Sequence, residues 1–265
     1  MSTSEVQLLF GLPIDPITLA EAIERCEGAI REHRPLVVGV VNAAKIVNLR
    51  SDAELRDSLL DCDMILPDGQ SVVWASRLIG RPLPERVAGI DLFQGLLELA
   101  DRQHYSIYLL GAKPEVVAAL ADSIGTRYPG AVIAGSRDGY FADAEGGEVA
   151  EAIATAMPDM LFLGMVSPKK EIFLGRYGHE LGVSVLHGVG GSFDVMAGVT
   201  QRAPESWQRL GLEWAYRLKQ EPRRLWRRYL RTNSRFILQV VIECFRPTPA
   251  WKRRTVPPLQ PSKEQ

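Results

Sequence analysis

Short apolar segments rich in β-branched residues alternate along this chain with amphipathic segments of helical period. Six of the apolar segments are predicted to be buried strands: residues 36–42, 63–66, 105–111, 131–136, 160–165 and 183–190. A helix is predicted before the first of them, over residues 17–33, and Pro114 stands where the first residue of another helix belongs. This alternation predicts an α/β fold, a Rossmann-like parallel sheet flanked by helices.

The loops that follow the strands are the expected position of a ligand site, because such sheets bind ligands beyond the carboxyl ends of their strands. These loops read VNAAK, LPDGQS, GAKPE, GSRDGYF, GMVSPKKE and HGVGGSFD. Their Gly, Asp, Asn and Lys residues suit a nucleotide or phosphate site. We therefore expect nucleotide contacts at Gly111, Ala112 and Lys113 and at Gly190 and Gly191, although each loop is equally compatible with an ordinary connector or turn.

Two acidic motifs have simple structural explanations as well as functional ones. Asp68, in PDG, fits a helix cap or turn and fits equally a carboxylate that takes a proton from a hydroxyl nucleophile. Asp61 and Asp63 form an Asp-X-Asp sequence of the kind found in metal-dependent sugar transferases. They precede a strand, which places them at the end of the sheet opposite the expected site, so no metal site is predicted.

The charge of the chain is divided unevenly. The formal net charge is −1, yet residues 200–254 contain 14 Lys and Arg against 4 Asp and Glu, and residues 1–199 carry −11. At 100° per residue, Arg223, Arg227, Arg231 and Arg235 fall on one face of a predicted helix whose other side is apolar and aromatic. A basic segment of this kind predicts an anionic partner: nucleic acid, a phosphorylated ligand or an anionic membrane surface.

The remaining composition points to a cytoplasmic protein. Three widely spaced cysteines suggest neither a disulfide framework nor a zinc site. The N-terminal residues lack the pattern of a signal peptide, and the apolar run FILQVVIECF is about half as long as a membrane span. We expect a protein that is soluble or peripherally associated with the inner face of the cell membrane, with homo-oligomerisation left open.

Several longer blocks resemble the WecG/TagA/CpsF family of bacterial glycosyltransferases. They are ILPDGQSVVWASRLIGRPLPERVAGIDL, LLGAKPE, FLGMVSPKKE, GVGGSFDVMAG and RAPESWQRLGLEWAYRLKQEPRRLWRRYL, in that order over nearly the whole chain. The resemblance implies an inverting, metal-independent hexosyltransferase (EC 2.4.1.-) that needs no cofactor. Its donor is a UDP-sugar carrying N-acetylmannosamine, its uronic acid or glucose, and its acceptor is an undecaprenyl-diphosphate-linked saccharide. The products implied are cell-envelope polymers, namely teichoic acid or exopolysaccharide.

The resemblance also assigns roles to individual residues. Asp68 is the implied catalytic base, Asn42 is a second implied catalytic residue, and Arg86 and Asp91 are implied to bind substrate. Arg217, Arg224 and Arg227 are implied to bind the diphosphate of the donor. Two positions differ from the usual family pattern: Val40 replaces a Thr, and Lys170 replaces a Gln. Lys170 is accordingly predicted to contact a diphosphate or an acidic sugar in the active site.

These roles divide the chain into three parts. Residues 1–199 are predicted to form the catalytic core with the UDP-sugar site. Residues 200–246, the C-terminal appendage, are predicted to close the active site and to touch the membrane through Arg223, Trp226, Arg228, Tyr229 and Arg231. Residues 247–265 are Pro-rich and predicted to be disordered.

Three other functions remain compatible with parts of the sequence. A metal-dependent Asp-X-Asp transferase would lose activity in EDTA, and a nucleotide-sensing module would bind UDP without turnover. A nucleic-acid-binding protein would bind its ligand through the basic helix. The acidic core would repel a long polyanion, so nucleic acid is not an expected partner.

Overall fold

The computed structural model of the protein describes residues 6–167, 169–209, 211–220 and 222–252, without the side chains of Arg209, Arg217, Arg224, Leu225 and Arg228. The strands are β1 (Gln7–Leu9), β2 (Leu12–Ile14), β3 (Leu36–Val41), β4 (Met64–Pro67), β5 (Ser106–Gly111), β6 (Val132–Arg137), β7 (Met160–Gly164) and β8 (Val185–Gly188). The α-helices are α1 (Leu19–Arg31), α2 (Ala43–Asn48), α3 (Ala53–Leu60), α4 (Gln70–Leu78), α5 (Gly89–Gln103), α6 (Pro114–Arg127), α7 (Gly146–Ala156), α8 (Lys169–Tyr177), α9 (Ser192–Met196), α10 (Glu205–Arg209), α11 (Glu213–Gln220) and α12 (Pro222–Phe245).

The six strands predicted from the sequence form one parallel sheet in the order β4-β3-β8-β7-β5-β6. The predicted α/β fold is confirmed, and Pro114 is the first residue of α6 as expected. An antiparallel hairpin, β1–β2, was not predicted; each of its strands has only three residues, and Pro13 interrupts the second.

Alternate side chains of each central strand enter apolar cores on the two faces of the sheet. On one face, Phe162 of β7 packs against Phe93 of α5, with ring centroids 4.6 Å apart, and Phe93 also contacts Phe193. On the other face, Leu161 and Leu163 pack with residues of α7 and α8. These two cores fix the sheet and therefore the position of every loop at its carboxyl edge.

Helix α12 is attached to the core near its C-terminal end. Phe236, Gln239, Val240 and Glu243 are spaced three or four residues apart and are all buried, so they form the face that packs towards α2 and the hairpin. The carboxylate of Glu243 is 1% exposed and accepts hydrogen bonds from the backbone N–H of Phe10 (3.2 Å) and from Thr248 (backbone N, 3.0 Å).

The chain beyond α12 is described as far as residue 252 and lies against the hairpin. The indole N–H of Trp251 donates to the carbonyl of Phe10 and its backbone N–H to that of Gly11, both at 2.9 Å. The guanidinium of Arg56 lies 4.8 Å from the Trp251 ring centroid. The disorder predicted for residues 247–265 stays a prediction: Thr248 and Trp251 make these contacts, and residues 253–265 lie outside the described residues.

Within the described ranges, no helix combines the length and the apolar character that crossing a bilayer requires.

Glu243 provides a test of how α12 is attached. Glu243→Gln keeps the shape of the side chain but places an amide N–H₂ group among backbone donors, so we expect it to lower the free energy of unfolding by about 1–3 kcal/mol. The measurement is urea denaturation. Phe245→Ala removes a side chain that is 87% exposed on the next turn and should change stability by less than about 0.5 kcal/mol. Equal midpoints for the two variants would refute this role.

Candidate functional site

Asn42 and Asp68 lie side by side at the carboxyl edge of the sheet. Each directly follows a strand, and the parallel register pairs Val41 of β3 with Pro67 of β4, so both polar residues emerge at the same level. Asn42 caps α2, its Oδ1 accepting from the backbone N–H of Lys45 at 3.1 Å. Since that oxygen is engaged, the amide Nδ2 faces Asp68, at 3.5 Å from its Oδ2.

The other oxygen of Asp68 is held by the backbone. Its Oδ1 accepts from the N–H of Gly89, the first residue of α5, at 2.9 Å. The carboxylate is thus fixed between the end of β3 and the start of α5, and it is only half-buried. A fixed, solvent-accessible carboxylate of this kind is able to take a proton from a bound hydroxyl group.

A buried histidine forms a hydrogen bond with the backbone of Gly89. The Nε2 of His187, in β8, lies 3.0 Å from the Gly89 carbonyl oxygen, and burial lowers the pKa of this imidazole to about 4. The ring is therefore neutral near pH 7, and because a carbonyl only accepts, Nε2 carries the hydrogen. His187 was not predicted as a site residue; a single histidine inside an apolar strand gives no sequence signal for this contact.

Lys170 belongs to a cluster of charges buried behind the site. Its ammonium group donates to the Gly188 carbonyl at 3.0 Å, and the side chain of Lys170 is almost fully buried. Glu171 forms an ion pair with Lys45 at 2.8 Å, and Lys45 also donates to the Val40 carbonyl at 2.7 Å. Burial, and secondarily the charge of Lys45, lowers the pKa of Lys170 to about 8. In this arrangement the ammonium of Lys170 binds the backbone at the end of β8. The ligand contact predicted for Lys170 stays a prediction.

The two glycine-containing loops differ in what their glycines do. Gly111 has φ +137°, and a Cβ there would meet the backbone of Gly164 at 2.5 Å, so close strand packing explains this glycine. Ala112 also has positive φ (58°), and Lys113 is exposed at the start of α6. Gly190 has φ +55°, whereas Gly191 is exposed and a Cβ there would meet nothing within 4 Å. The predicted nucleotide contacts at these positions remain predictions.

The appendage packs against α4, the helix that follows Asp68. Gly211, between α10 and α11, approaches α4 so closely that a Cβ there would lie 2.8 Å from the Cβ of Gln70 and 3.1 Å from the ring of Trp74. Gln70 follows Asp68 by two residues. Closure of the active site by the appendage stays a prediction.

Arg86 and Asp91 bind each other and two residues of the appendage. Arg86 lies 3.2 Å from Asp91 and 3.1 Å from Glu213 of α11, and Arg202 lies 2.6 Å from Asp91 and 3.6 Å from Glu213. Neither Arg202 nor Glu213 was singled out from the sequence, although both stand in the RAPESWQRLGLEW block. Substrate binding by Arg86 and Asp91 stays a prediction.

The arginines predicted to bind the diphosphate or the membrane lie on α11 and α12. Arg223, Arg227 and Arg231 are exposed, and Arg227 lies over the ring of the exposed Trp226 at 5.3 Å. Tyr229 is half-buried, with its ring edge towards Trp214. The predictions for Arg217, Arg224 and Arg228 fall on side chains outside the described residues.

The Asp-X-Asp sequence lies at the opposite end of the sheet, as predicted. Asp63 precedes β4, and its carboxylate accepts from the backbone N–H of Val37 at 2.8 Å, near the start of β3. In the described part of the chain, no group of three or more His, Cys, Asp and Glu side chains is arranged to hold a metal ion.

Comparison with known proteins supports the resemblance seen in the sequence. The family model described as "Glycosyl transferase WecG/TagA/CpsF family" matches residues 6–250. A protein of Bacillus spizizenii is 45% identical over 172 residues, which are 65% of this chain and 66% of that protein. A protein of Bacillus subtilis strain 168 is 41% identical over 194 residues, 73% of this chain and 75% of that protein. Both are named N-acetylglucosaminyldiphosphoundecaprenol N-acetyl-beta-D-mannosaminyltransferase.

The buried Lys170 predicts a pH dependence of stability. Below pH 8 the group is protonated in the folded and the unfolded chain, but between about 8 and 10.5 the unfolded chain keeps a proton that the folded protein has lost. The contribution of Lys170 to the free energy of unfolding should therefore rise with pH in this window, by roughly 2 kcal/mol.

The measurement is urea denaturation of wild type and Lys170→Gln at pH 7 and pH 10. The stability difference, wild type minus variant, should grow at the higher pH. The exposed Lys219→Gln controls for loss of a lysine. An unchanged difference for Lys170→Gln at the two pH values would show that its ammonium is not buried as described.

Proposed function

The chain belongs to the WecG/TagA/CpsF family of glycosyl transferases, and from this we propose that it transfers N-acetylmannosamine from a UDP-sugar to N-acetylglucosamine linked through a diphosphate to undecaprenol. The names of the two Bacillus relatives favour this donor sugar and this acceptor over the uronic acid and glucose that the sequence left open. The polymer served would then be a teichoic acid or a related cell-surface polysaccharide.

The observation that carries the proposal is the fixed carboxylate of Asp68. It is held by Gly89 and faces Asn42 at the sheet edge where α/β folds bind ligands, and the appendage packs on α4, the next helix along the chain. A catalytic base needs a fixed orientation, and it also needs a side that a bound hydroxyl group can reach.

We infer a single displacement that inverts the anomeric centre. The acceptor hydroxyl oxygen attacks the anomeric carbon of the donor while Asp68 takes its proton. The bond from that carbon to the diphosphate oxygen breaks, and UDP leaves with the electron pair. Asn42 supports the step by holding the second oxygen of Asp68 in place.

The charge that develops on the leaving diphosphate requires cations. We assign this role to Arg217, Arg224 and Arg227, because a planar guanidinium binds two phosphate oxygens at once. With arginines in this role the reaction needs no metal ion, and activity should persist in EDTA. Loss of activity in EDTA would favour the metal-dependent alternative.

The lipid acceptor would bring the protein to a membrane surface, and the outer face of α12 suits this contact. Apolar side chains exposed on this helix include Trp226, Leu230, Ile237, Leu238, Val241, Ile242 and Phe245. The exposed arginines at positions 223, 227, 231, 235 and 246 lie among them. A helix of this composition lies in the interface with its apolar residues below the headgroups and its basic residues near anionic lipid. The proposed membrane contact thus extends beyond residues 223–231 to the end of α12.

Asp68→Asn tests the assignment of the base. The variant keeps the size of the side chain but cannot take a proton, so turnover should fall by at least about 10²-fold while binding of UDP is retained. Transfer to a synthetic polyprenyl-diphosphate-linked N-acetylglucosamine is read by mass spectrometry, and UDP binding by calorimetry.

The matched control is Asp122→Asn, which changes an exposed aspartate on α6 and should leave turnover unchanged. Near-normal turnover of Asp68→Asn would exclude this residue as the base. A wild-type protein that binds UDP but transfers no sugar from a panel of UDP-sugars would indicate a nucleotide-sensing module instead.

Ile237→Asp tests the membrane contact. It places a charge on a side chain that is 63% exposed in the proposed surface, and it should weaken binding to phosphatidylglycerol vesicles by at least about tenfold in a flotation assay. Met157→Asp changes a side chain that is also well exposed (79%), at the end of α7, and should bind vesicles like wild type. Equal binding by both variants would place the contact elsewhere.

A further inference from the structure

Four charged side chains form a closed ring across the border between the core and the appendage. The ring runs Arg86–Asp91–Arg202–Glu213 and back to Arg86, with neighbouring groups 3.2, 2.6, 3.6 and 3.1 Å apart. Two members belong to the core and two to the appendage, more than a hundred positions apart in the sequence. Charges of opposite sign alternate around it, so each carboxylate is shared by two guanidinium groups.

The ring adjoins the proposed catalytic base on the core side. Arg86 and Asp91 flank Gly89, whose N–H holds Asp68. On the appendage side, Glu213 is the first residue of α11, and the same helix carries Arg217 one turn later. The ring therefore connects α11 directly to the segment of the core that holds Asp68.

We propose that Arg202 and Glu213 are positioning residues, a latch that holds α11 over the cleft so that its arginine meets the diphosphate of the donor. This inference rests on the proposed function for the identity of the ligand. The ring itself is defined by the ion pairs alone, so a part of the experiment needs no substrate.

Three features of the ring and its surroundings support the proposed latch. Its side chains are 13–27% exposed, so their charges are less screened than those of surface pairs. Gln220, at the end of α11, donates to the carbonyl of Gln201 at 3.4 Å, which ties the helix to the residue beside Arg202. Gly211 packs against Gln70, so the linker between the two latch residues is seated on α4.

The experiment compares wild type with Glu213→Gln, Arg202→Gln and the double variant. In hydrogen exchange without substrate, amides of residues 213–220 should exchange at least about fivefold faster in each variant, while those of β3 and β7 stay protected. Turnover on a soluble acceptor analogue should fall by about 10–100-fold, since a misplacement of 1 Å is enough for such a loss.

Non-additivity distinguishes a shared latch from two separate effects. The double variant should be no worse than the more damaged single variant, because either change opens the same ring. Arg202→Lys keeps the charge and should retain more of the exchange protection than Arg202→Gln. Arg25→Gln is the control: it removes the half-buried ion pair with Asp15 (2.6 Å), which lies outside the ring, and it should alter neither exchange in α11 nor turnover.

Unchanged exchange in α11, additive losses, or an equal effect of Arg25→Gln would overturn the latch. Faster exchange with normal turnover would show that the ring attaches α11 without positioning it for the reaction. A wild-type protein that transfers no sugar would overturn the proposed function, and the exchange data would then decide alone whether the ring holds α11.

Discussion

The parallel pairing of β3 with β4 and β8 is the constraint on which the site depends. Its register brings Val41 level with Pro67, so the next residues, Asn42 and Asp68, meet at the edge. The pairing with β8 on the other side brings His187 under Gly89, which in turn holds Asp68. A slip by one residue would turn each of these side chains to the opposite face of the sheet. The apolar cores on both faces prevent such a slip, so the packing of the sheet also fixes the site.

Positive charge is used in two different ways around this edge. Behind it, the ammonium groups of Lys45 and Lys170 bind strand-end carbonyls and share the neighbourhood of Glu171 in a nearly dry interior. There they tie the side chains of α2 and α8 to the strands of the sheet. In front of it, the exposed arginines of α12 keep their charge available for anions. The excess positive charge of the appendage therefore does not indicate the role of the Lys170 ammonium. Lys170 lies in the acidic core and binds buried partners there.

The sequence predicts the sheet well because each of the six strands is an apolar run whose length and composition are decided locally. It also places Asn42 and Asp68 at the carboxyl edge of the sheet, since each stands at the end of a predicted strand; that the two strands are neighbours is seen only in the fold. Contacts that depend on distant segments were missed. The three-residue strands of the hairpin have no pattern of their own, and Trp251 binds that hairpin across 241 positions. Arg202 and Glu213 look like ordinary surface charges until the fold brings them to Arg86. The contact of the Lys170 ammonium with Gly188 was not predicted either, and the ligand contact predicted for Lys170 stays a prediction.

The appendage is attached unequally at its two ends, and the difference fits a segment that covers a cleft. Near the end of α12, Glu243 and Trp251 bind backbone groups of the hairpin, and opening that contact would leave buried donors and acceptors unpaired. At α11 the attachment includes a ring of partly exposed ion pairs, whose charged groups water can solvate when the ring opens. Segments that move in a reaction are drawn from the less stable parts of a fold. The unequal attachment predicts that any opening of the appendage begins at α11, while the C-terminal part of α12 keeps its contacts with the hairpin.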